Sequence, residues 1–188
     1  MSNFVDIVVL CEDRQQEVFV RYFLENCGID PHRIRANICP KGKTAGEQYV
    51  REAYPKEVMA YRRVSSYKTI GLTVVTDADI KAIVDKFREL EEALAGRNQD
   101  KRQARERIAL LIPKRNIETW IHYLQGEPVN EADSYPKLAR EGDCKPAVKR
   151  LAQKPSYTPA AGTPSSLREA CREIKRILPD KRCEELES

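Results

Sequence analysis

Acidic side chains follow three apolar runs of this chain, and carboxylates in such positions could bind a cation or transfer protons. Glu12 and Asp13 follow the run 6–11, Asp77 and Asp79 follow the run 70–75, and Glu118 comes after the run 108–112. Apolar, β-branched runs bounded by charge are typical of central strands in a parallel α/β sheet, and ligands bind outside the carboxyl ends of such strands. Converging carboxylates repel one another unless a cation lies between them, and oxygen-only ligands suit Mg²⁺ or Mn²⁺. The sequence therefore predicts a divalent-metal site on an α/β scaffold.

The bulk composition is that of a globular protein, and its weakly basic charge is compatible with nucleic acid. The chain has 188 residues, 41% hydrophobic and 33% charged, with a net charge of +4. No signal-peptide pattern and no apolar run of membrane-spanning length is found in the sequence. The six cysteines show no CxxC motif and no pairing with histidine. We therefore expect reduced thiols, a cytoplasmic location and no membrane association.

The elements that must position the carboxylates alternate regularly. The pattern predicts strands at 5–11, 33–39, 69–76 and 107–112, and helices at 14–27, 45–63, 80–95 and 115–125. Successive βα units favour right-handed crossovers and a parallel four-stranded sheet flanked by helices.

After Glu127 the texture of the chain changes, because prolines separate short segments. We predict helices at 145–153 and 166–178. The predicted division is a sheet domain over 1–127 and a helical, loop-rich extension over 128–188. That extension either packs on the sheet or offers a surface to a partner.

Asp77 and Asp79 alternate with one residue between them, so at a strand end both could point into one crevice. The alternative is that Asp77 caps the helix that follows and that Asp79 is merely solvated. Glu118 likewise has a simpler interpretation as a first-turn residue favoured by the helix dipole.

The chain resembles the Toprim domain in three features: Glu12 at the tip of the first strand, the Asp77-Ala78-Asp79 triplet after a later strand, and the βα pattern between them. Toprim domains occur in topoisomerases, bacterial primases, small RNA-maturing nucleases and nucleases of the overcoming-lysogenization-defect type. The resemblance covers roughly residues 5–125 and includes Pro113 with the segment 117–120, Ile-Glu-Thr-Trp. It implies a Toprim-like, Rossmann-like fold.

In Toprim proteins the two aspartates are expected to hold Mg²⁺ and the first glutamate to act as a ligand or general acid/base. The resemblance assigns these roles to Asp77, Asp79 and Glu12, with Glu118 completing the acidic ring. Two departures concern the start of the first helix. Asp13 replaces the usual glycine, and Gln16 stands where a second glutamate is usual, with Glu17 one place later. We keep Glu17 as a metal ligand, although a one-residue shift rotates a helical side chain by roughly 100°.

Basic residues supply candidate contacts to nucleic acid. The segment Gly42-Lys43-Thr44 lacks the first glycine of a P-loop, since position 37 is Asn, and we interpret Lys41 and Lys43 as phosphate contacts beside the site. The basic connector over 97–107 contains Arg102 and Arg105, and Lys114 and Arg115 continue it after the fourth strand. The alternative for this connector is an ordinary solvated surface.

The resulting hypothesis is a Mg²⁺-dependent phosphodiesterase, a nuclease acting on DNA or RNA. The resemblance also implies an ATPase partner and a role in antiviral defence. The alternative is a Toprim-fold binding module with a weak or inactive site, whose residues 136–188 dock a partner and whose sheet domain folds without them. A third interpretation, a receiver-like or Rossmann-like phosphate-binding domain, is weakened by the absence of a GxGxxG motif. The oligomeric state is left open.

Overall fold

A computed structural model describes residues 5–42, 44–153 and 162–178. The strands are β1 (Asp6–Cys11), β2 (Ile34–Ile38), β3 (Ile70–Val75) and β4 (Ile108–Leu111). The helices are α1 (Arg14–Asn26), α2 (Gly46–Val64), α3 (Ile83–Ala95), α4 (Ile117–Leu124), α5 (Lys145–Ala152) and α6 (Ser165–Ile174). Short 3₁₀ turns cover Pro31–Arg33 and Glu141–Cys144. Among the described residues, no helix has both the length and the apolar composition needed to span a membrane.

The four strands form one parallel sheet in the order β2-β1-β3-β4, which confirms the predicted α/β class. The register places Leu10 beside Val74 and Val74 beside Leu110. Strands β1, β3 and β4 therefore end nearly level with one another. Residues that directly follow β1, β3 and β4 are brought to the same edge, which we call the carboxyl edge.

Each face of the sheet is covered by helices because alternate strand residues point to opposite sides. On one face, Val8, Leu72 and Leu110 pack with α2 and α3 in one apolar cluster. On the other face, Val9 and Leu111 pack with α1, α4, α5 and α6 in a second cluster. The sheet is thus buried on both sides, as continuous apolar strands require.

The C-terminal helices belong to this second core. Trp120 of α4 is almost fully buried, and its Nε1 donates a hydrogen bond of 2.7 Å to Ser166 Oγ of α6. Arg102 Nη1 and Nη2 pair with the carboxylate of Glu173, which also accepts a hydrogen bond of 2.9 Å from Leu110 N of β4. Polar contacts and apolar packing therefore both join α6 to the sheet.

Three helix boundaries differ from the sequence-based prediction by two residues or more. Helix α3 begins at Ile83 instead of residue 80, because Ala78 N bonds to Pro113 O and Lys81 N bonds to Ala78 O, which together form a turn. Helix α4 begins at Ile117 instead of 115, where Arg115 has a positive φ of 67°. Helix α6 ends at Ile174, four residues short of the predicted end.

Candidate active site

Glu12 lies at the end of β1 and connects it to the end of β3. Its Oε1 accepts hydrogen bonds from Thr76 Oγ1 at 2.5 Å and from Asp77 N at 2.8 Å. The next residue, Asp13, caps α1 by accepting a hydrogen bond of 3.0 Å from Gln16 N. The chain therefore turns sharply from strand to helix at Glu12 and holds its carboxylate over the carboxyl edge.

The Gln16 amide links Glu12 to Asp77. Gln16 is fully buried, its Oε1 accepts a hydrogen bond from Glu12 N at 2.9 Å, and its Nε2 donates one to Asp77 Oδ1 at 3.0 Å. The sequence also allowed Asp77 to cap the helix that follows it. Helix α3, however, begins after Ala82, and no side chain caps it among the described residues. The alternative in which Asp77 caps that helix is therefore wrong.

Burial makes the carboxylates of this edge hard to ionise. The pKa of Asp77 is raised well above its ordinary value, first by burial and then by the negative charges of Glu12, Glu118 and Asp13. The pKa of Glu12 is raised by burial, although hydrogen bonds from Thr76 and Asp77 and the charge of Lys86 oppose the shift. These residues therefore lie within one another's electrostatic field.

Glu118 lies in the first turn of α4, but it is buried instead of solvated. Its residue is 2% exposed, burial raises its pKa, and its Oε1 has no hydrogen-bond partner among the described residues. A buried carboxylate oxygen without a partner is costly. Its negative charge also contributes to the raised pKa of Asp77, so it belongs to the same site.

Asp79 is exposed and differs from Asp77 in its surroundings. Strand β3 ends at Val75, so strand alternation does not extend to residues 77–79. Asp79 has a positive φ of 50° and forms an isolated antiparallel bridge with Arg115, whose φ is 67°. Backbone in this region costs about 1–3 kcal/mol for residues other than glycine. The negative charge of Asp79 raises the pKa of Glu12, so it lies at the rim of the site.

Glu17 is a correction to the predicted metal ligands. Its side chain is 1% exposed, and its oxygens pair with Arg14 at 2.6 Å and with Arg21 at 2.5 Å. Successive side chains of a helix point in directions that differ by roughly 100°. Gln16 therefore faces Asp77, whereas Glu17 points towards these arginines. Glu17 therefore stabilises α1 and is not available to a cation.

Lys137 reaches the site from the C-terminal region, and the sequence interpretation missed it. Its Nζ lies 3.4 Å from Asp13 Oδ2, and its pKa is raised by the charges of Asp13, Glu118 and Asp77. It lines an open cleft of about 550 Å³ together with Glu12, Glu118 and Lys41. Lys137 lies in a segment without helical or strand periodicity, so no local signal connected it with residues more than a hundred positions away.

The start of α2 packs directly against Glu12. A Cβ atom added to Gly46 would lie 2.7 Å from Glu12 Cβ, which is closer than such atoms can approach. The neighbouring Glu47 pairs with the buried Lys86 at 2.5 Å and with Lys81 at 3.0 Å. Because Lys86 lowers the pKa of Glu12, this ion-pair cluster offsets part of the negative charge of the site.

The predicted basic residues separate into two locations. Lys41 lines the cleft. Lys114 donates hydrogen bonds to the carbonyl oxygens of Ile80 and Lys81. The backbone of Arg115 forms the isolated β-bridge with Asp79, and its side-chain Nε is buried without a hydrogen-bond partner among the described residues. Lys43 lies outside the described residues.

Arg102 and Arg105, by contrast, precede β4 and lie at the amino edge of the sheet, about 20 Å along the strands from Asp77. Arg102 is a correction to the predicted nucleic-acid contacts, because it is only 11% exposed and pairs with Glu173.

Comparisons with known proteins do not assign this arrangement to a family. Scans of the chain against protein-family models, curated proteins and solved structures found no match.

The donors at the carboxyl edge fit a hard cation in their chemistry, because Glu12, Asp77, Asp79 and Glu118 offer only oxygen. The residues described over 5–42, 44–153 and 162–178 contain no group of three or more Asp, Glu, His or Cys side chains that could hold a metal ion. Mg²⁺ commonly keeps several waters and binds through one or two carboxylates plus substrate phosphates. The unpartnered Oε1 of Glu118 and the crowded contact between Gly46 and Glu12 are compatible with such a site.

Proposed function

We propose that this protein is a Mg²⁺-dependent phosphodiesterase that cleaves nucleic acid, with a Toprim-like active site at the carboxyl edge of the sheet. The observation that carries the proposal is the convergence of Glu12, Asp77 and Glu118, three carboxylates with raised pKa values from three different segments. Clustered carboxylates whose pKa values are raised by burial and by one another's charge are typical of functional sites.

Each residue has a distinct proposed role. Asp77 and Asp79 would hold the cation, and Glu118 would add negative charge to the same site. The cation would supply charge neutralisation at the scissile phosphate. Glu12 would transfer a proton, because burial raises its pKa above the ordinary value while Thr76 Oγ1 and Asp77 N orient its carboxylate. Lys41 and Lys137, which line the same cleft as Glu12 and Glu118, would neutralise the phosphates of the nucleic-acid strand.

Cleavage is tested with supercoiled plasmid and with structured RNA, each incubated with Mg²⁺ or Mn²⁺ and with EDTA as the metal-free control. We expect metal-dependent cleavage by the wild type and at least a hundredfold loss in Glu12→Gln and Asp77→Ala. The matched control is Asp100→Asn, an exposed aspartate remote from the site, which should cleave like the wild type. Cleavage that persists in Asp77→Ala would exclude the proposed mechanism.

Binding of the cation is measured separately from activity. Because a ligand that binds only the folded state stabilises it, millimolar Mg²⁺ should raise the melting temperature of the wild type. The rise should be lost in an Asp77→Asn/Glu118→Gln double variant and retained in Asp100→Asn. An unchanged melting temperature of the wild type would count against a cation site.

A second candidate function is a binding module with an inactive site. The observation that favours it is the Gln16 amide, which occupies Asp77 Oδ1 with a hydrogen bond, together with Glu17, whose carboxylate is paired with two arginines. This candidate predicts no cleavage with any divalent cation, even when an ATPase partner is supplied. A role in antiviral defence beside such a partner remains an implication of the Toprim resemblance.

A further inference from the structure

The amino edge of the sheet, opposite the candidate active site, carries a groove. Two depressions of about 420 and 370 Å³ adjoin there and share Tyr61, Lys68 and Ile70 in their lining. The walls come from the loop after α2, the start of β2 and the connector that enters β4. Because these segments all precede strands, they lie at the end of the sheet away from Glu12 and Asp77.

The charge of this amino-edge groove is strongly positive. Its basic lining residues are His32, Arg33, Arg35, Lys68, Arg105 and Arg107. Asp6 is the acidic residue among the described lining residues, and it is shared by Lys68 at 2.5 Å and Arg33 at 3.0 Å, which lower its pKa. Arg105 and Arg107 have no ion-pair partner in the described parts of the chain. Arg35 lies 3.9 Å from Glu57, so the positive charge of the groove that no ion pair among the described residues offsets comes mainly from Arg105 and Arg107.

An exposed aromatic ring lies beside these cations. Tyr67 is 76% exposed and lines the groove together with the hydroxyl-bearing residues Ser65, Ser66 and Thr69. A tyrosine ring that remains in solvent contributes no free energy of burial to folding. Cationic grooves with exposed aromatic rings are the usual arrangement for binding single strands, because bases stack on the ring while the backbone follows the charges.

We propose that the amino-edge groove binds single-stranded nucleic acid, with Arg105 and Arg107 contacting phosphates and Tyr67 stacking on a base. This goes beyond the proposed function, because the groove lies about 20 Å from Asp77 along the strands and shares no residue with the carboxylate site. It also gives the basic connector a location that differs from the cleft beside Lys41.

The charge contacts are tested by fluorescence anisotropy with a labelled 20-nucleotide single strand of DNA, in EDTA so that cleavage plays no part. Arg105→Ala/Arg107→Ala should weaken binding at least tenfold. It should also reduce the slope of log affinity against log salt by about 1.4, since each lost phosphate contact contributes about 0.7. The matched control is Arg51→Ala/Lys56→Ala, which removes the same charge from the exposed surface of α2. An equal loss in both variants, or no loss in either, overturns the proposal.

The stacking contact separates a single-strand site from a general phosphate site. Tyr67→Ala should weaken binding of the single strand about tenfold and leave binding of a duplex of the same sequence nearly unchanged, whereas Tyr67→Phe should bind like the wild type. Melting curves of all variants check that the fold is retained. An equal effect of Tyr67→Ala on single strand and duplex, or none on either, overturns the assignment. Because binding is measured without divalent cations, the result does not depend on whether the protein cleaves nucleic acid.

Discussion

At the scale of single residues, Asp77 combines burial with like charges on several sides. An acid whose pKa is raised by folding binds its proton more tightly in the folded state, so its contribution to stability falls as pH rises from the ordinary value of 3.8 through the raised value. At neutral pH Asp77 therefore opposes folding. Such a cost is typical of a position kept for function.

Replacing Asp77 with Asn should accordingly stabilise the protein. Without divalent cations at pH 7.5, we expect the melting temperature of Asp77→Asn to rise by about 2–6 °C, or about 1–1.5 kcal/mol, because the Asn Oδ1 can still accept from Gln16. The difference from the wild type should shrink as the pH falls and vanish well below 3.8, where Asp77 is protonated in both the folded and the unfolded state. Asp100→Asn should show no gain, and a melting temperature of Asp77→Asn below that of the wild type at pH 7.5 would refute the argument.

Gln16 tests the same cluster from the other side. Gln16→Glu replaces the donor to Asp77 Oδ1 with a carboxylate about 3 Å away, so we expect a loss of about 2–4 kcal/mol, measured by melting in EDTA. Millimolar Mg²⁺ should then raise the melting temperature more than it does in the wild type. Gln16→Met, which loses the hydrogen bonds without adding charge, is the control and should keep the metal response of the wild type. If Gln16→Glu melts like the wild type in EDTA, the contact does not exist in solution.

At the scale of elements, the start of α2 and the end of β1 meet at a contact that only glycine allows. Alanine usually stabilises a helix relative to glycine by about 0.5–1 kcal/mol. At Gly46, however, the new Cβ would lie 2.7 Å from Glu12 Cβ and 3.3 Å from its Cα. With alanine at position 46, either the start of α2 or the end of β1 must therefore move.

Gly46→Ala should therefore destabilise the protein by about 1–3 kcal/mol and displace Glu12. Any metal-dependent cleavage should then fall further than the loss of folded protein explains. Gly142→Ala is the control, because a Cβ there meets no heavy atom within 4 Å among the described residues. Thermal melting and cleavage rates measure the two effects. A Gly46→Ala protein as stable and as active as the wild type would contradict the close approach.

At the scale of the whole molecule, the C-terminal region completes the core. Buried residues of α5 and α6, including Val148, Leu151, Leu167 and Ile174, share one apolar cluster with Phe19 and Trp120. Burying a side chain of this kind contributes about 1.5–3 kcal/mol, so these residues together are comparable with the total stability of a domain. The same region also supplies Lys137 to the cleft.

A chain truncated after Tyr135 should therefore fail to fold, unlike the independent sheet domain expected from the sequence under the binding-module alternative. We expect no cooperative melting and an expanded or aggregated species in gel filtration. A chain ending at Leu178 keeps all the buried residues named here and should melt cooperatively. Cooperative melting of the chain 1–135 would show that the sheet and its first helices fold without the extension.

The sequence by itself determined the strands, the class of the sheet and the acidic residues at its carboxyl edge. Those features are local: apolar β-branched runs must be buried on both faces, and charge can follow them only at an edge. Glu12 and Asp77 could be predicted because each lies within two residues of a strand end, and Glu118 because it lies in the first turn of the helix that follows β4.

Only the tertiary structure decided which side chains use that edge. A single helical position separates Gln16, which bonds to Asp77, from Glu17, which pairs with arginines. Lys137 reaches the cleft through its contact with Asp13, which lies 124 positions earlier in the chain. Arg102 is removed from the predicted nucleic-acid surface by its pairing with Glu173, which lies 71 positions later. Such contacts depend on the packing of helices that no local pattern encodes, and this is the physical reason why the scaffold could be predicted from the sequence and the full site could not.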